Sequence, residues 1–241
     1  MISFPRDFTS RGIAFWSGCR YDFPVVRQPI LTLLESLMMP HPTIVTLDLE
    51  GVFTPEIWIE FADKVGIPDL RRTTRDEPDY DKLMRFRIDL LKKNGFTLAD
   101  IQAVIDELEP LPGAREFMSW LRARTQVIIL SDTFYQFARP LIAKLDDPTL
   151  FCHSLIIDDK GMIADYKLRM PDSKRAAVNA LKAINFFIVA AGDSYNDVSM
   201  LREADHGFFF RPSANVVRDY PQYLVAEDYE TLKHYIAPLL T

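Results

Sequence analysis

Two carboxylates stand two positions apart at the end of an apolar run. The run begins at Thr43, and Asp48 and Glu50 precede Gly51 where it ends. In an extended segment residues i and i+2 project to the same side, so both carboxylates could serve one site. The alternative is that Asp48 caps a turn and Glu50 is a solvated loop residue. This segment alone does not decide between the two interpretations.

The same arrangement recurs at two later points of the chain. Apolar runs at 126–130 and 186–191 each end in polar side chains. These side chains are Ser131, Asp132 and Thr133 after the first run, and Asp193, Asn196 and Asp197 after Gly192 in the second. Short apolar or β-branched runs are typical of parallel strands covered on both faces. Because open α/β sheets carry their chemistry beyond the carboxyl ends of the strands, the recurrence predicts a single site.

A magnesium ion is the cofactor that these residues predict. Carboxylates gathered at strand ends repel one another unless a hard cation lies between them, and oxygen ligands favour Mg²⁺. The predicted ligands are Asp48, the backbone carbonyl of Glu50, and Asp193, with Asp197 supporting them from behind. A dianionic phosphate monoester is the substrate class that suits such an ion.

Phosphoryl transfer gives each polar group a role. Asp48 is ionised at neutral pH and can attack phosphorus to form an aspartyl-phosphate. We expect Ser131 and Lys174 to hold the phosphoryl oxygens, and Glu50 to protonate the leaving alkoxide and then deprotonate water. Lys174 lies in the first turn of a helix predicted over 172–184, where the helix dipole disfavours a cation. This position indicates a function, although exposed lysines often occur there too.

The predicted elements form an α/β fold, with a Rossmann-like parallel sheet flanked by helices. The chain between the first two strands is much longer than a parallel crossover requires. We therefore predict a small helical insert at 55–109 that covers the strand ends. The predicted catalytic core comprises residues 41–54 and 110–241, and residues 1–40 form an N-terminal extension that is expected to be poorly ordered.

Cap and turn signals predict the boundaries of several elements. Thr54 is expected to cap the first helix of the insert, and Thr97 its third. Ser131–Thr133 are expected to cap the helix that follows the second strand, and Pro140 to kink or break that helix. The stretch 150–168 predicts a hairpin.

One basic residue stands on the apolar face of the second predicted helix of the insert. At helical periodicity Arg87 falls within an apolar stripe. The stripe consists of Tyr80, Leu83, Met84, Leu90 and Leu91. A charge on a packing face is unfavourable unless it is paired, because desolvating an ion costs several kcal/mol. Arg87 therefore either pairs with a buried structural carboxylate or points into a ligand cavity.

Four segments resemble the motifs of the haloacid dehalogenase-like phosphotransferases. They are Asp48–Val52 (DLEGV), Ser131–Thr133 (SDT), Lys174, and Gly192–Asp197 (GDSYND), in that order. The resemblance covers residue 43 to about 235. Within the superfamily the chain most resembles the phosphoserine phosphatases, above all their phosphoserine:homoserine phosphotransferase branch. The superfamily pattern has an aspartate at position 50, whereas the carboxyl of Glu50 reaches about 1.5 Å further, one C–C bond. The closer branch shares the glutamate, so activity is expected.

The resemblance also implies roles for four further residues. In phosphoserine phosphatases the insert is a cap, and the positions of Glu56 and Arg87 bind the substrate's amino and carboxylate groups. Without the resemblance, Glu56 would be interpreted as a helix-start acid that the helix dipole favours. Asp132 and Asn196 are expected to contact phosphate or the seryl backbone.

The expected function is a Mg²⁺-dependent phosphatase that hydrolyses L-phosphoserine through an aspartyl-phosphate, as in serine biosynthesis. The resemblance adds homoserine as a second acceptor of the phosphoryl group. Two alternatives stay open: the substrate is another small phosphate monoester, or the protein is a catalytically weak regulator that binds phosphoamino acids. His153 and His206 are interpreted as packing or surface residues.

Composition and charge limit the partners. Of the 241 residues, 48% are hydrophobic and 26% are charged, as in ordinary globular proteins. A net charge of −6 without a basic cluster argues against nucleic acid or a membrane surface as partner. Two cysteines, Cys19 and Cys152, lack CxxC spacing, so we expect a reducing compartment and a cytoplasmic location. A homodimer is an assembly state that the sequence leaves open.

Overall fold

The protein is described by a computed structural model for residues 41–74, 76–77 and 79–240. The strands are β1 (Thr43–Leu47), β2 (Gln126–Phe134), β3 (Thr149–Ile157), β4 (Ile163–Lys167), β5 (Phe187–Gly192), β6 (His206–Phe210) and β7 (Leu224–Ala226). The first helices are α1 (Ile57–Val65), α2 (Tyr80–Asn94), α3 (Leu98–Glu107), α4 (Ala114–Arg122) and α5 (Tyr135–Ala143). The later helices are α6 (Ser173–Ala183), α7 (Val198–Glu203), α8 (Ala214–Asp219) and α9 (Tyr229–Ile236). The predicted extension at 1–40 lies outside the described residues.

Within the described residues, seven strands form one sheet in the order β4-β3-β2-β1-β5-β6-β7. All neighbouring strands are parallel except β3 and β4, which form the predicted antiparallel hairpin. The chain moves outward from β1 to β3 on one side and then continues from β5 to β7 on the other. The carboxyl ends of β1, β2 and β5 therefore meet where the strand order reverses, which is the usual position of a ligand site in open α/β sheets.

The central strand shows why its sequence is an uninterrupted apolar run. Val45 and Leu47 belong to the core on one face of the sheet, whereas Ile44 belongs to the core on the other face. Successive side chains of a strand point to opposite faces, so both faces must be apolar when helices cover both. The predicted parallel sheet flanked by helices is confirmed.

Helices α1–α3 lie between β1 and β2 in the chain and pack into a third apolar cluster. Their cluster includes Phe61 and Ile101 and extends to Phe137 of α5 and to Leu155 and Ile163 of the hairpin. Thr97 caps α3 as predicted, with a capping box in which its side chain accepts from the backbone of residue 100. Helix α1 ends at Gly66, which adopts the left-handed conformation at φ 68°.

The predicted cap of α1 is wrong. The helix begins at Ile57 with Glu56 as N-cap, not at Pro55 with Thr54 as N-cap. Thr54 instead forms a bridge with Glu50, and its hydroxyl donates to the carbonyl of Leu49 at 3.4 Å. Closure of the turn after β1 thus uses the residue that helix-capping propensity assigned to α1.

The predicted cap after β2 and the predicted break of α5 are also wrong. Ser131–Thr133 do not cap a helix, because β2 continues through them to Phe134 after a shift in its register with β3. Pro140 does not break α5, which runs through it from Tyr135 to Ala143. Pro140 has no N–H to donate to the carbonyl of Gln136, and that carbonyl instead accepts from Nε2 of Gln102 at 2.8 Å.

Candidate active site

The ends of β1, β2 and β5 enclose one side of a cavity of about 100 Å³, and helices α1 and α2 enclose the other. Eight of the residues singled out in the sequence line it: Asp48, Glu50, Glu56, Arg87, Ser131, Asp132, Asp193 and Asn196. Trp58, Thr73, Thr74, Tyr80, Leu83, Thr133, Ser194 and Tyr195 complete the lining. The three strand ends that the sequence predicts to form one site therefore do meet.

Three buried carboxylates at this site could hold a divalent cation. Oxygen atoms of Asp48, Asp193 and Asp197 all lie within 4.8 Å of one another. Buried carboxylates at this separation repel unless a cation or protons neutralise them, and all-oxygen donors suit Mg²⁺. The donor set fits the predicted ion. Asp197 nevertheless already has hydrogen-bond partners. Its Oδ2 accepts the backbone N–H of Asp193 at 2.9 Å and that of Ser194 at 3.1 Å.

Lys174 lies beneath this carboxylate cluster. Its Nζ is 2.8 Å from Oδ2 of Asp48 and 2.7 Å from Oδ1 of Asp197, and its side chain is only 2% exposed. Burial alone would lower the pKa of Lys174, but the charges of Asp197 and Asp48 hold it well above the usual value. The lysine is therefore a fixed cation beside the oxygen of Asp48, in spite of its place in the first turn of α6.

Burial raises the pKa of the two carboxyls of the first motif, Asp48 and Glu50. Burial, and then repulsion by Asp197, raises the pKa of Asp48 well above its usual value, although Lys174 acts in the other direction. Burial likewise raises the pKa of Glu50, whose Oε2 accepts the backbone N–H of Ile57 at 2.9 Å. In Glu50 a raised pKa means that the carboxyl retains its proton to higher pH, which is the property that a general acid needs.

Glycine allows two of these carboxylates to approach the backbone. Gly51 has φ +78°, and a Cβ atom there would lie 2.5 Å from Cγ of Asp193. A Cβ atom on Gly192 would lie 2.2 Å from Cγ of Asp197. Both distances are far inside van der Waals contact. The two glycines of the motifs thus leave the space in which the acidic cluster assembles.

Arg87 extends from α2 into the cavity. It is buried, its guanidinium stacks on Trp58 at 4.5 Å from the ring centre, and its Nη2 donates to the carbonyl of Arg72 at 2.6 Å. Its Nε atom is buried and has no hydrogen-bond partner among the described residues. Burial lowers the pKa of Arg87 to about 10, so the group is still a cation at neutral pH. The cation that the sequence places within an apolar helical stripe therefore lines the cavity.

Polar residues near the end of β2 and in the loop after β5 are joined across the cavity. Nδ2 of Asn196 donates to Oδ2 of Asp132 at 3.0 Å, and Nζ of Lys174 lies 3.9 Å from the same oxygen. Although burial acts in the other direction, Lys174, His153 and Asn196 hold the pKa of Asp132 below its usual range. Ser131 is buried, and its Oγ accepts the backbone N–H of Thr133 at 3.3 Å.

Sequence reasoning missed two contacts that Asp132 makes at this site. Tyr80, interpreted as part of an apolar stripe, lines the cavity and donates its hydroxyl to the backbone carbonyl of Asp132 at 2.9 Å. His153 is buried rather than exposed, and its Nε2 lies 3.6 Å from Oδ1 of Asp132. Neither contact has a local signal, because the partners are far apart in the chain. His206 is exposed.

The chain is similar in sequence to known proteins. The sequence model of the haloacid dehalogenase-like hydrolases matches residues 43–205. A protein of Pseudomonas syringae pv. tomato named phosphoserine phosphatase is 50% identical over 217 residues, which are 90% of this chain and 92% of that protein. A protein of Pseudomonas aeruginosa named phosphoserine phosphatase ThrH is 54% identical over 190 residues, which are 79% of this chain and 93% of that protein.

Solved structures show the same fold. A phospho-aspartyl intermediate analogue of a phosphoserine phosphatase has a TM-score of 0.68 at 20% identity, over 80% of this chain and 98% of that one. A substrate-bound phosphoserine phosphatase has a TM-score of 0.68 at 19% identity, over 83% and 99%. In the described part of this chain, no helix combines the length and apolarity that a bilayer span needs. From the sequence match and these relatives, the chain belongs to the haloacid dehalogenase-like hydrolases and is an enzyme of that family.

Proposed function

We propose that this hydrolase removes the phosphoryl group from L-phosphoserine through an aspartyl-phosphate on Asp48. The observation that carries the proposal is the cation of Arg87, which is buried in the same cavity as Asp48 and has an unpartnered Nε. A planar guanidinium binds a carboxylate through two parallel hydrogen bonds, so it suits a substrate with a carboxylate beside the phosphate ester. The names of the relatives in Pseudomonas agree with such a substrate.

In the first step an oxygen of Asp48 attacks phosphorus, and the bond between phosphorus and the seryl oxygen breaks. The backbone N–H of Leu49 donates to Oδ1 of Asp48 at 2.7 Å, which holds the carboxylate in one orientation. Glu50, whose pKa burial raises, donates a proton to the leaving oxygen. Lys174 stabilises the charge that spreads over the phosphoryl oxygens.

In the second step water attacks phosphorus and Glu50 takes up the proton that water releases. The bond between phosphorus and Asp48 breaks, so the carboxylate is regenerated. Asp48, Asp193 and the backbone carbonyl of Glu50 would hold Mg²⁺, which supplies positive charge against the phosphate and the clustered carboxylates. Asp197 holds Lys174 and the loop after β5 in place.

We also propose that residues 55–109 act as a cap over a core of residues 41–54 and 110–241. Helices α1 and α2 supply Glu56, Trp58 and Arg87 to the wall opposite the strand ends. Glu56 stands at the N-cap of α1, where a carboxylate is favoured in any case, and it also faces the cavity, so it is our candidate for binding the substrate's ammonium group.

Release of inorganic phosphate from L-phosphoserine, with and without Mg²⁺, tests the proposal directly. We expect turnover with the ion, and its loss when EDTA removes the ion. A panel of other small phosphate monoesters serves as the comparison. A higher kcat/KM for an ester without an α-amino acid group than for phosphoserine would contradict the substrate assignment.

Homoserine is a second acceptor that the same intermediate permits. The aspartyl-phosphate transfers its phosphoryl group to whichever hydroxyl occupies the cavity, with Glu50 taking the proton of that hydroxyl. We expect O-phosphohomoserine to appear when homoserine is added, with a matching decrease in inorganic phosphate. Unchanged phosphate release and no new ester in the phosphorus NMR spectrum would restrict the enzyme to water.

Substituting Arg87 with alanine should impair phosphoserine hydrolysis selectively. We expect kcat/KM for phosphoserine to fall by about a hundredfold or more, since a charge-assisted pair in a cavity is lost, whereas the value for p-nitrophenyl phosphate changes little. Arg87→Lys should recover only part of the loss, because an ammonium lacks the planar fork. Arg85→Ala on the exposed side of α2 is the matched control. Equal losses on both esters would remove Arg87 from substrate recognition.

Comparing Gly51→Ala with Gly66→Ala should separate the effect of backbone strain from the effect of a displaced carboxylate. Gly51 and Gly66 both have positive φ, but only at Gly51 would the new Cβ collide with Asp193. Both alanine variants should lose about 1–2 kcal/mol of stability from the left-handed conformation. Only Gly51→Ala should also lose about a hundredfold in turnover, because it displaces a carboxylate of the cluster. Similar activities in the two variants would contradict this explanation of the motif glycine.

A further inference from the structure

A buried histidine lies behind the carboxylate that spans the cavity. His153 is on β3, which pairs with β2, and it is 3% exposed. Its Nδ1 accepts the backbone N–H of Arg169 at 3.1 Å. A nitrogen that accepts this bond must present a lone pair, so the other ring nitrogen carries the proton in the neutral imidazole. The backbone of Arg169 thereby selects the Nε2–H tautomer.

The selected proton faces Asp132. Nε2 of His153 lies 3.6 Å from Oδ1 of Asp132, which is slightly longer than a direct hydrogen bond. Bonds of this kind in enzymes often shorten when the substrate complex forms. The other oxygen of Asp132 accepts from Asn196 at 3.0 Å and lies 3.9 Å from Nζ of Lys174.

The carboxylate of Asp132 therefore lies next to three donor groups from separate parts of the chain: His153 of β3, Lys174 of α6, and Asn196 after β5. An anionic carboxylate next to a phosphate is repulsive unless donors bind its oxygens and fix its direction. With Oδ1 directed at His153, Oδ2 stays in place for the amide of Asn196, which lines the catalytic cavity. A rotation of the carboxylate would release Asn196 and shift the charge next to Lys174.

We propose that His153 is a positioning residue that acts through Asp132 to hold Asn196 and Lys174 in place for phosphoryl transfer. The inference rests on the proposed function, since it concerns the same reaction. His153 itself does not touch the reacting atoms and exchanges no proton with the substrate. Its ring also packs near Tyr80 and Phe134, with ring centres 6.4 Å away in both cases, so the experiment must separate positioning from packing.

Two amide substitutions make that separation. Asparagine places an oxygen near the position of Nδ1 and keeps only the acceptor for Arg169, whereas glutamine places an NH₂ group near the position of Nε2 and keeps only the donor toward Asp132. We expect His153→Asn to lower kcat about tenfold with little change in KM, and His153→Gln to stay within about threefold of wild type. Both variants lose the ring, and asparagine is also one methylene smaller, so a packing role would show as losses of kcat that follow the thermal midpoint.

The double variant Asp132→Asn, His153→Asn completes the test. If His153 acts only through Asp132, the double variant has the kcat of Asp132→Asn alone. Multiplicative losses, equal kcat in the Asn and Gln variants, or losses that follow the thermal midpoint would overturn the inference. Rates are measured with whichever phosphate ester the wild type turns over, so a wrong substrate assignment does not affect the result.

A spectroscopic measurement on the wild type does not depend on turnover. Long-range ¹⁵N–¹H correlation spectra of the histidine side chains distinguish a protonated from an unprotonated ring nitrogen. We expect His153 to show a protonated Nε2 and an unprotonated Nδ1, with assignment by its absence in His153→Gln. A protonated Nδ1 would overturn the inference, because that tautomer directs a lone pair at Asp132. A wild type without phosphatase activity but with the expected tautomer would contradict the proposed function instead.

Discussion

Replacing Asp48 with asparagine should abolish phosphoryl transfer while leaving the fold intact. The amide of asparagine has the same size as the carboxylate but is not a nucleophile, so no aspartyl-phosphate can form. We expect kcat to fall by about 10⁴-fold or more, as for other enzymes that lose their nucleophile. Phosphate release measures the turnover, and trapping of beryllofluoride at residue 48 measures the loss of the acceptor.

The matched control is Asp89→Asn on the exposed side of α2. It removes the same charge from the chain without touching the cavity, and its kcat should equal that of the wild type. An Asp48→Asn variant with near-native turnover would end the mechanism. A variant that is inactive because it is unfolded would be recognised by a lost thermal transition.

The thermal stability of Asp48→Asn provides a second measurement. Because burial and Asp197 raise the pKa of Asp48, the folded chain binds that proton more tightly than the unfolded chain does. In metal-free buffer the stability of the wild type should therefore decrease as pH rises through this pKa. Asparagine carries no such charge, so we expect the thermal midpoint of the variant at pH 8 to equal or exceed that of the wild type. A clearly lower midpoint would contradict the description of a crowded acidic cluster.

Replacing Lys174 with methionine should impair both catalysis and stability. Lys174 contacts Asp48 and Asp197 at 2.8 and 2.7 Å and is almost fully buried. Removing a buried cation leaves its carboxylate partners uncompensated, at a loss of about 3–5 kcal/mol. Loss of the cation that we propose to bind the phosphoryl oxygens should lower kcat by about a thousandfold. Urea denaturation and phosphate release measure the two effects.

Two control variants separate the effect of Lys174 on catalysis from its effect on stability. Lys182→Met removes a lysine from the same helix, where it pairs with Asp205 at 2.9 Å in a partly exposed position, and should leave kcat unchanged. Adding Asp197→Asn to Lys174→Met removes one of the uncompensated charges, so part of the lost stability should return while activity does not. If the double variant recovered activity, the role of Lys174 would be to neutralise Asp197 and not to bind phosphate.

The local sequence determined the catalytic motifs and the kind of sheet that carries them. Uninterrupted apolar runs specify strands covered on both faces, and the positions at which they end specify which polar residues reach the edge of the sheet. Asp48, Ser131 and Asp193 follow from these two rules alone. Arg87 was also visible in the sequence, because a cation within an apolar helical stripe requires a partner or a cavity.

Only the tertiary structure decided which residues support these motifs and where each helix and strand begins or ends. Thr54 was expected to cap α1 but closes the turn after β1, and Ser131–Thr133 were expected to cap α5 but continue β2. His153 meets Asp132 only because β3 lies next to β2 in the sheet. Capping of a helix competes with turn and sheet contacts that helix propensity does not contain. Contacts across a sheet depend on strand order, which no periodicity in a single segment encodes.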